Sequence, residues 1–166
     1  FRALNSTNAL IRTIPVKRFP LRDGTGGILM ALMDDDPQVV RLNLVKLTAP
    51  NLTLASLTGG GSAPTVVLLT PGGGQIFSNS LAATWTGFDP EGNPLHFLVR
   101  YSCDNGNSWA VLVEDTIATN LNVSTTGLPG GINTCRLQVI ASDGLLSATA
   151  VSAAFTVIPK PPQAYI

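Results

Sequence analysis

Short apolar runs that alternate with polar residues, separated by glycine, proline, asparagine and aspartate, constrain this chain more than any other feature. Over residues 134–142, for example, Leu137 and Val139 alternate with Arg136 and Gln138. No stretch of about twelve residues keeps apolar residues at helical spacing without glycine, proline or a β-branched cluster. Because a strand presents successive side chains to opposite faces, the pattern predicts an all-β protein.

Composition and charge narrow the class of protein further. The 166 residues are 45% hydrophobic and 12% charged, which is enough apolar material for a core and too much for a disordered chain. Polar breaks in every uncharged run predict no membrane insertion. Ten basic residues balance ten acidic ones, so we expect no nucleic-acid partner. The sequence opens at Phe1, which we interpret as a processed chain or an excised piece of a longer protein.

A glycine-rich segment at residues 59–63 divides the chain. Glycine has the widest backbone freedom and the following Pro64 favours an extended exit, so we predict a flexible linker. Residues 1–58 are predicted to form a small β-unit, or the tail of a preceding β-domain, that packs on its neighbour. Its strands are predicted at residues 10–19, 27–33, 39–47 and 52–57, with a hairpin loop at 34–37 between the second and third.

The second part shows seven predicted strands with turn signals between them. They span residues 65–70, 81–86, 95–102, 109–113, 120–124, 134–142 and 150–158. This spacing predicts an immunoglobulin-like β-sandwich over residues 64–159, followed by a proline-rich exit at 160–166. The side chains predicted to fill its core are Trp85, Phe97, Leu137, Val139 and Phe155.

Three blocks of the second part carry a family resemblance: LAATWTGFDPEGNPLHFLVRYS around Trp85, CRLQVIASDG after LPGG, and the ending FTVIPKPP. The run from 64 to 161 resembles a fibronectin type III or related bacterial immunoglobulin-like module, and its size is near that of the family. Cys135 occupies the position where the family usually carries the tyrosine of its corner. The resemblance to modules of bacterial secreted hydrolases, including peptidases, implies a parent protein of that kind.

Residues 102–109, Ser-Cys-Asp-Asn-Gly-Asn-Ser-Trp, resemble the Asp-box pattern S-x-D-x-G-x-x-W. The resemblance predicts a hairpin in which Ser102 and Asp104 belong to the turn and the Asp104 carboxylate accepts backbone N–H groups. Gly106 takes a positive φ, and Trp109 packs under the loop. In sialidase-type propellers the motif is structural, and a single copy cannot form a propeller. We therefore interpret it as a structural hairpin.

The chain has two cysteines, Cys103 and Cys135. In an immunoglobulin-like topology the end of the third module strand and the start of the sixth are antiparallel neighbours, so we expect the two to meet in a disulfide. The alternative is a pair of buried free thiols in a cytosolic protein. A disulfide implies secretion, the periplasm or the cell surface.

Residues for catalysis are scarce. His96 is the only histidine, and it alternates with Arg100 on a predicted strand, which favours a surface position. A nucleophile would need it as a base, and a zinc site would need more nitrogen or sulfur ligands. The sequence shows no G-x-S-x-G, H-E-x-x-H or P-loop pattern. We predict that the chain is not an enzyme and has no catalytic residues.

Two acidic clusters offer the oxygen ligands that Ca²⁺ prefers. They are Asp34, Asp35 and Asp36, and Asp89, Glu91 and Asn93 with Asp143 as an added candidate. Charged turns of the form D-P-E-G-N-P also form without metal, so we favour plain turns and keep calcium as the alternative. We expect no other cofactor.

Two functions from different classes stay open. The first is a non-catalytic spacer of a larger secreted or surface protein, whose partners are the adjacent domains of the same parent chain. The second is recognition of a glycan or a protein through loops at one end of the sandwich. Glycan binding would need an exposed aromatic platform, for which Trp109 and Tyr165 are the candidates. An evenly polar surface would favour the spacer.

Overall fold

The computed structural model describes residues 1–20, 27–34, 36, 38–47, 50–59 and 61–160. Strands dominate this part of the chain, with one 3₁₀ turn at Thr125–Gly127, and the all-β prediction is confirmed. The strands are β1 (Arg2–Leu4), β2 (Leu10–Thr13), β3 (Lys17–Pro20), β4 (Gly27–Met30), β5 (Arg41–Lys46), β6 (Leu52–Thr58), β7 (Thr65–Thr70), β8 (Ile76–Phe77), β9 (Ser80–Phe88), β10 (His96–Ser102), β11 (Ala110–Thr116), β12 (Asn120–Ser124), β13 (Gly131–Ser142), β14 (Ser147–Val151) and β15 (Phe155–Val157).

Strands β7–β15 form a two-sheet sandwich. One sheet has the order β12-β9-β7, and its pairs are antiparallel. The other has the order β11-β10-β13-β15-β8, and β14 also pairs with β13. The edge strand β8 runs parallel to β15. With only two residues, β8 is too short to show an alternating pattern, which is why the sequence did not predict it.

Alternation along these strands builds one core between the two sheets. The five side chains predicted for the core are each no more than 3% exposed. The Trp85 ring meets Phe97 edge to face at a centroid distance of 5.8 Å, so that β9 of one sheet contacts β10 of the other. Phe155 packs against Phe77 and Tyr101 in the same core. Burial on one face and exposure on the other is what the period of two predicts.

The predicted last strand at 150–158 is two strands, β14 and β15. Ser152 separates them: its backbone N–H donates to the Leu137 carbonyl at 2.8 Å, and its buried hydroxyl accepts from the Leu137 N–H at 2.9 Å. A side-chain oxygen thus takes one place in the backbone ladder and shifts the strand. The predicted strand at 109–113 is β11, which begins one residue later and ends three residues later.

The first unit differs more from its predicted layout. It contains a sheet of order β2-β1-β5-β6 and a separate β3-β4 hairpin over a small core of Ala3, Ile14 and Val39. The predicted strand at 10–19 is two strands, interrupted at Ile14, whose N–H donates to the Phe1 carbonyl, and at Pro15, which has no N–H.

The predicted hairpin loop at 34–37 is wrong. Both edges of β5 are occupied, by β1 and by β6, so β4 pairs with β3 instead and the chain crosses between sheets after β4. Asp34 and Asp36 lie on this crossing. Asp35 and Pro37 lie outside the described residues.

Candidate functional site

Cys103 and Cys135 meet as expected at one end of the larger sheet. In the antiparallel pair of β10 and β13, Ser102 lies opposite Arg136, so the next pair outward is the two cysteines. They lie at disulfide distance, with Cα atoms 3.9 Å apart. Cys135 is fully buried and Cys103 is partly exposed. The pair ties the base of the loop that follows β10 to the start of β13.

That loop, residues 102–109, is a hairpin closed by the carboxylate of Asp104. Its Oδ1 accepts from the Ser108 N–H at 2.9 Å and from the Ser102 hydroxyl at 2.7 Å. Its Oδ2 accepts from the Ser108 hydroxyl at 2.6 Å. The hydrogen bonds from Ser108 and then Ser102 lower the pKa of Asp104 to about 2. Both oxygens of this carboxylate therefore serve the turn.

We predict that the Asp104 carboxylate makes a contribution to the stability of the fold that is lost in acid. Its folded pKa of about 2 lies below the ordinary value of 3.8, so the ionised form stabilises the fold above about pH 4, and the contribution is lost as the pH falls towards 2. Between about pH 4 and pH 2, the melting temperature of Asp104→Asn should fall by less than that of the wild type. Glu114→Gln, which removes an exposed carboxylate from β11, is the control and should keep the wild-type slope. Equal slopes in the wild type and Asp104→Asn would contradict this account of the hairpin.

Gly106 and Trp109 complete the hairpin. Gly106 has φ +90°, which only glycine adopts freely, and a Cβ there would lie 3.2 Å from the Trp109 ring. The Arg100 guanidinium lies 5.8 Å from the centroid of the same ring. Trp109 is half-buried between these contacts, so its ring does not form an open platform for a sugar. Tyr165, the other candidate, lies outside the described residues.

A groove of about 280 Å³ runs beside the hairpin. Its lining includes Tyr101, Ser102, Asp104, Ser108 and Pro129. The Tyr101 hydroxyl donates to the Pro129 carbonyl at 2.6 Å, and burial raises the pKa of Tyr101 to about 12. Tyr101 was not singled out from the sequence, although a tyrosine at an inward strand position usually finds a partner for its hydroxyl. With its main polar groups bonded internally, the groove offers few free groups to a ligand.

The second acidic cluster lies at the opposite end of the sandwich, in the β9–β10 turn. Asp89 is only 5% exposed, and its Oδ1 accepts from the N–H groups of Glu91 at 3.1 Å and Asn93 at 2.8 Å. Gly92 has φ +76°, as the turn requires. In the neighbouring β13–β14 loop, Asp143 accepts from the N–H groups of residues 145 and 146. These carboxylates hold the shapes of two loops.

The first acidic cluster is also engaged within its own unit. Asp36 pairs with the Arg12 guanidinium, and its Oδ1 accepts from the Gln38 N–H at 3.1 Å. These bonds, with the backbone bond from Gln38 as the larger cause, lower the pKa of Asp36. Within the ranges that the structure describes, no three histidine, cysteine or acidic side chains are grouped as a metal site would need. The bonds to Arg12 and Gln38 thus join Asp36 to residues of its own unit.

Calcium should accordingly leave the stability of the chain unchanged. A cation that binds only the folded state raises the melting temperature in proportion to its occupancy. We expect the same melting temperature in millimolar Ca²⁺ and in excess chelator, measured by calorimetry on the whole chain. A clear rise with Ca²⁺ would contradict the turn interpretation. Its loss in Glu91→Gln, but not in Asp34→Asn, would then locate the ion at the β9–β10 turn.

His96 lies on the surface of the larger sheet. It is exposed on β10, and its Nδ1 lies 2.6 Å from Oδ1 of the exposed Asp115 on β11. Among the residues with described positions, no hydroxyl or thiol hydrogen bonds to the ring. A histidine and a carboxylate without a nucleophile do not form a triad. The pair is a surface contact of the kind that contributes little to stability.

The function of the chain has to be argued from its own geometry, because comparison with known proteins gives no relative. In the described part of the chain, no helix has the length and apolar character to cross a membrane. No family model, no curated protein and no solved structure matches the chain.

Proposed function

We propose that the chain is a non-catalytic spacer of fibronectin type III-like architecture within a larger secreted or cell-surface protein, of the kind found as accessory regions of bacterial hydrolases and peptidases. The observation that carries the proposal is the path of the chain through the sandwich. The chain enters at one end and leaves at the other, while the carboxylates of Asp89, Asp104 and Asp143 accept hydrogen bonds from N–H groups of their own loops. Such a module holds its two neighbours apart and needs no ligand.

The strand register establishes this path. Thr65, the first residue of β7, pairs with Phe88 at the end of β9, which lies at the same end of the sandwich as the β9–β10 turn. Val157, the last residue of β15, pairs with Gly131 at the opposite end. Beyond it, the Lys160 ammonium donates to the Thr125 hydroxyl at 3.3 Å, so the chain stays against the sandwich as far as residue 160. Domains before and after the module would therefore be separated by the length of β13.

The proposed location outside the cytosol depends on the Cys103–Cys135 pair being oxidised. We expect the intact mass to lie two hydrogens below that of the reduced chain, with no alkylation in denaturant alone and alkylation of both residues once reductant is also added. Since Cys135 is fully buried, denaturant alone is the necessary control for access. Alkylation of both residues by a thiol reagent in denaturant without reductant would show free thiols and would remove the argument for secretion.

A second candidate function, recognition of a glycan or protein, is favoured by one surface. Strands β7, β9 and β12 contain no charged residue, and their outer face exposes Val67, Leu69 and Phe88, the last to 65%. An uncharged face with an exposed aromatic ring is a surface that a partner could cover. This face, rather than the loops at the ends, is where the second function would reside.

A binding screen separates the two functions. The spacer proposal predicts no competable binding when the whole chain is screened against a broad panel of glycans and insoluble polysaccharides. Reproducible binding that is lost in Phe88→Ala and kept in Trp109→Ala would replace the spacer by recognition through the uncharged face. Binding lost only in Trp109→Ala would instead assign recognition to the hairpin end.

A further inference from the structure

The glycine-rich segment meets the sandwich at a close approach that only glycine permits. Gly59 belongs to the first unit, because its N–H donates to the Val40 carbonyl at 3.0 Å. On its other side, a Cβ at this position would lie 2.8 Å from Leu145 Cβ and 3.0 Å from Leu145 Cγ. Real Cβ atoms essentially never come so near a neighbour. The φ of Gly59 is not in the left-handed region, so closeness rather than conformation requires the glycine at this position.

One further contact joins the first unit to the same loop, and another joins the segment after it to a second loop of the sandwich. The Leu57 side chain, on β6, approaches Gly144 so that a Cβ there would lie 3.4 Å from Leu57 Cδ1. The Ser62 hydroxyl donates to Oε1 of Glu91 in the β9–β10 turn at 2.9 Å. The contacts lie on both sides of the glycine run and reach two different loops of the sandwich. Leu57 and Gly59 thus hold the first unit against the β13–β14 loop, and Ser62 holds the segment after it against the β9–β10 turn.

The receiving loop is itself held in shape. Asp143, only 8% exposed, accepts from the N–H groups of Leu145 and Leu146 at 2.7 Å and 2.6 Å. The Asp143 N–H in turn donates to the Leu146 carbonyl at 3.2 Å. Leu146 is buried, and Leu145 is left half-exposed at the tip, where it meets Gly59. A loop that is ordered before contact loses little conformational entropy when it receives a partner.

We infer that the β13–β14 loop, residues 143–146, is the docking surface for the first unit, and that Gly59 and Ser62 form a fixed junction in place of the flexible linker expected from composition. The two units then tumble as one body. The inference goes beyond the spacer proposal, because it applies equally if the module recognises a ligand. It also assigns one end of the sandwich to the preceding unit of the chain, which leaves the hairpin end for the unit that follows.

Backbone ¹⁵N relaxation on the whole chain tests the inference, since it gives a rotational correlation time for each unit separately. We expect one shared correlation time in the wild type. In Gly59→Ala the two units should no longer have the same correlation time, because the new Cβ cannot fit against Leu145. The correlation time of each unit should also become shorter. Gly61→Ala is the matched control: its Cβ would meet only Val40 Cγ1, at an ordinary 3.8 Å, and the shared time should persist.

A second variant tests whether Gly59→Ala acts only by distorting the first unit locally at residue 59. Leu145→Ala changes only the sandwich side of the contact, and we expect it also to separate the two correlation times while the sandwich keeps its chemical shifts. Different correlation times in the wild type would overturn the inference. So would a shared time that survives both Gly59→Ala and Leu145→Ala. Neither result would bear on ligand binding, so the spacer proposal would still be judged by the binding screen.

Discussion

Trp85→Ala is expected to lower the free energy of unfolding by about 3–5 kcal/mol. Trp85 is 2% exposed on β9, and its ring contacts Phe97 of the opposite sheet, so its removal leaves a cavity between the two sheets. Neighbouring strands are fixed by backbone pairing on both sides of β9, so the cavity can collapse only in part. The measurement is the midpoint and slope of urea unfolding, followed by circular dichroism.

The second tryptophan supplies the control. Trp109 is half-buried under the hairpin and outside the sandwich core, so Trp109→Ala should cost clearly less than Trp85→Ala. A near-neutral Trp85→Ala would mean that β9 does not present its odd-numbered residues to the core, and the register of β9 against its neighbours would be wrong.

Removing the Cys103–Cys135 link is expected to cost nearly as much. The cysteines are 32 residues apart, and closing a loop of that length stabilises the folded chain by about 3.7 kcal/mol when the bond restricts the unfolded ensemble. The double variant Cys103→Ala with Cys135→Ala should show that loss in urea unfolding. Alanine is the better replacement, because Cys135 has no exposure and a serine hydroxyl there would need a partner.

Reductant provides the matched comparison for this prediction. Adding it to the wild type should destabilise the chain by an amount similar to the double substitution, and adding it to the double variant should change nothing. A wild type that is insensitive to reductant, yet destabilised by the alanine pair, would show that the cysteines act through packing. The proposal of an oxidising compartment would then lose its main support.

The sandwich could be predicted where its structure depends on residues that are close together in the sequence. Leu137 and Val139 alternate with Arg136 and Gln138 along β13, and this period alone places the first two in the core. The break at Ser152 was not predictable, because it depends on which residue of another strand its hydroxyl meets. In the first unit, β1 and β6 occupy both edges of β5, and such competition between strands leaves no trace in the sequence of β4.

The same division applies to the candidate site. The hairpin at 102–109 joins side chains a few residues apart, so the resemblance to the Asp-box pattern was enough to predict the role of Asp104. The bond from Tyr101 to Pro129 and the approach of Gly59 to Leu145 join distant parts of the chain. Composition predicts a flexible linker at residues 59–63, and no local pattern indicates that Gly59 lies close to Leu145.

The central claim is that this chain holds two neighbouring domains at a set separation. Its most direct test places the whole chain between two fluorescent reporter domains and measures the distribution of distances between them by single-molecule energy transfer. A glycine–serine linker of equal length is the reference, because it behaves as a random coil. The account predicts a distribution much narrower than that of the reference, and one that broadens in Gly59→Ala. A wild-type distribution as broad as that of the flexible linker would contradict it.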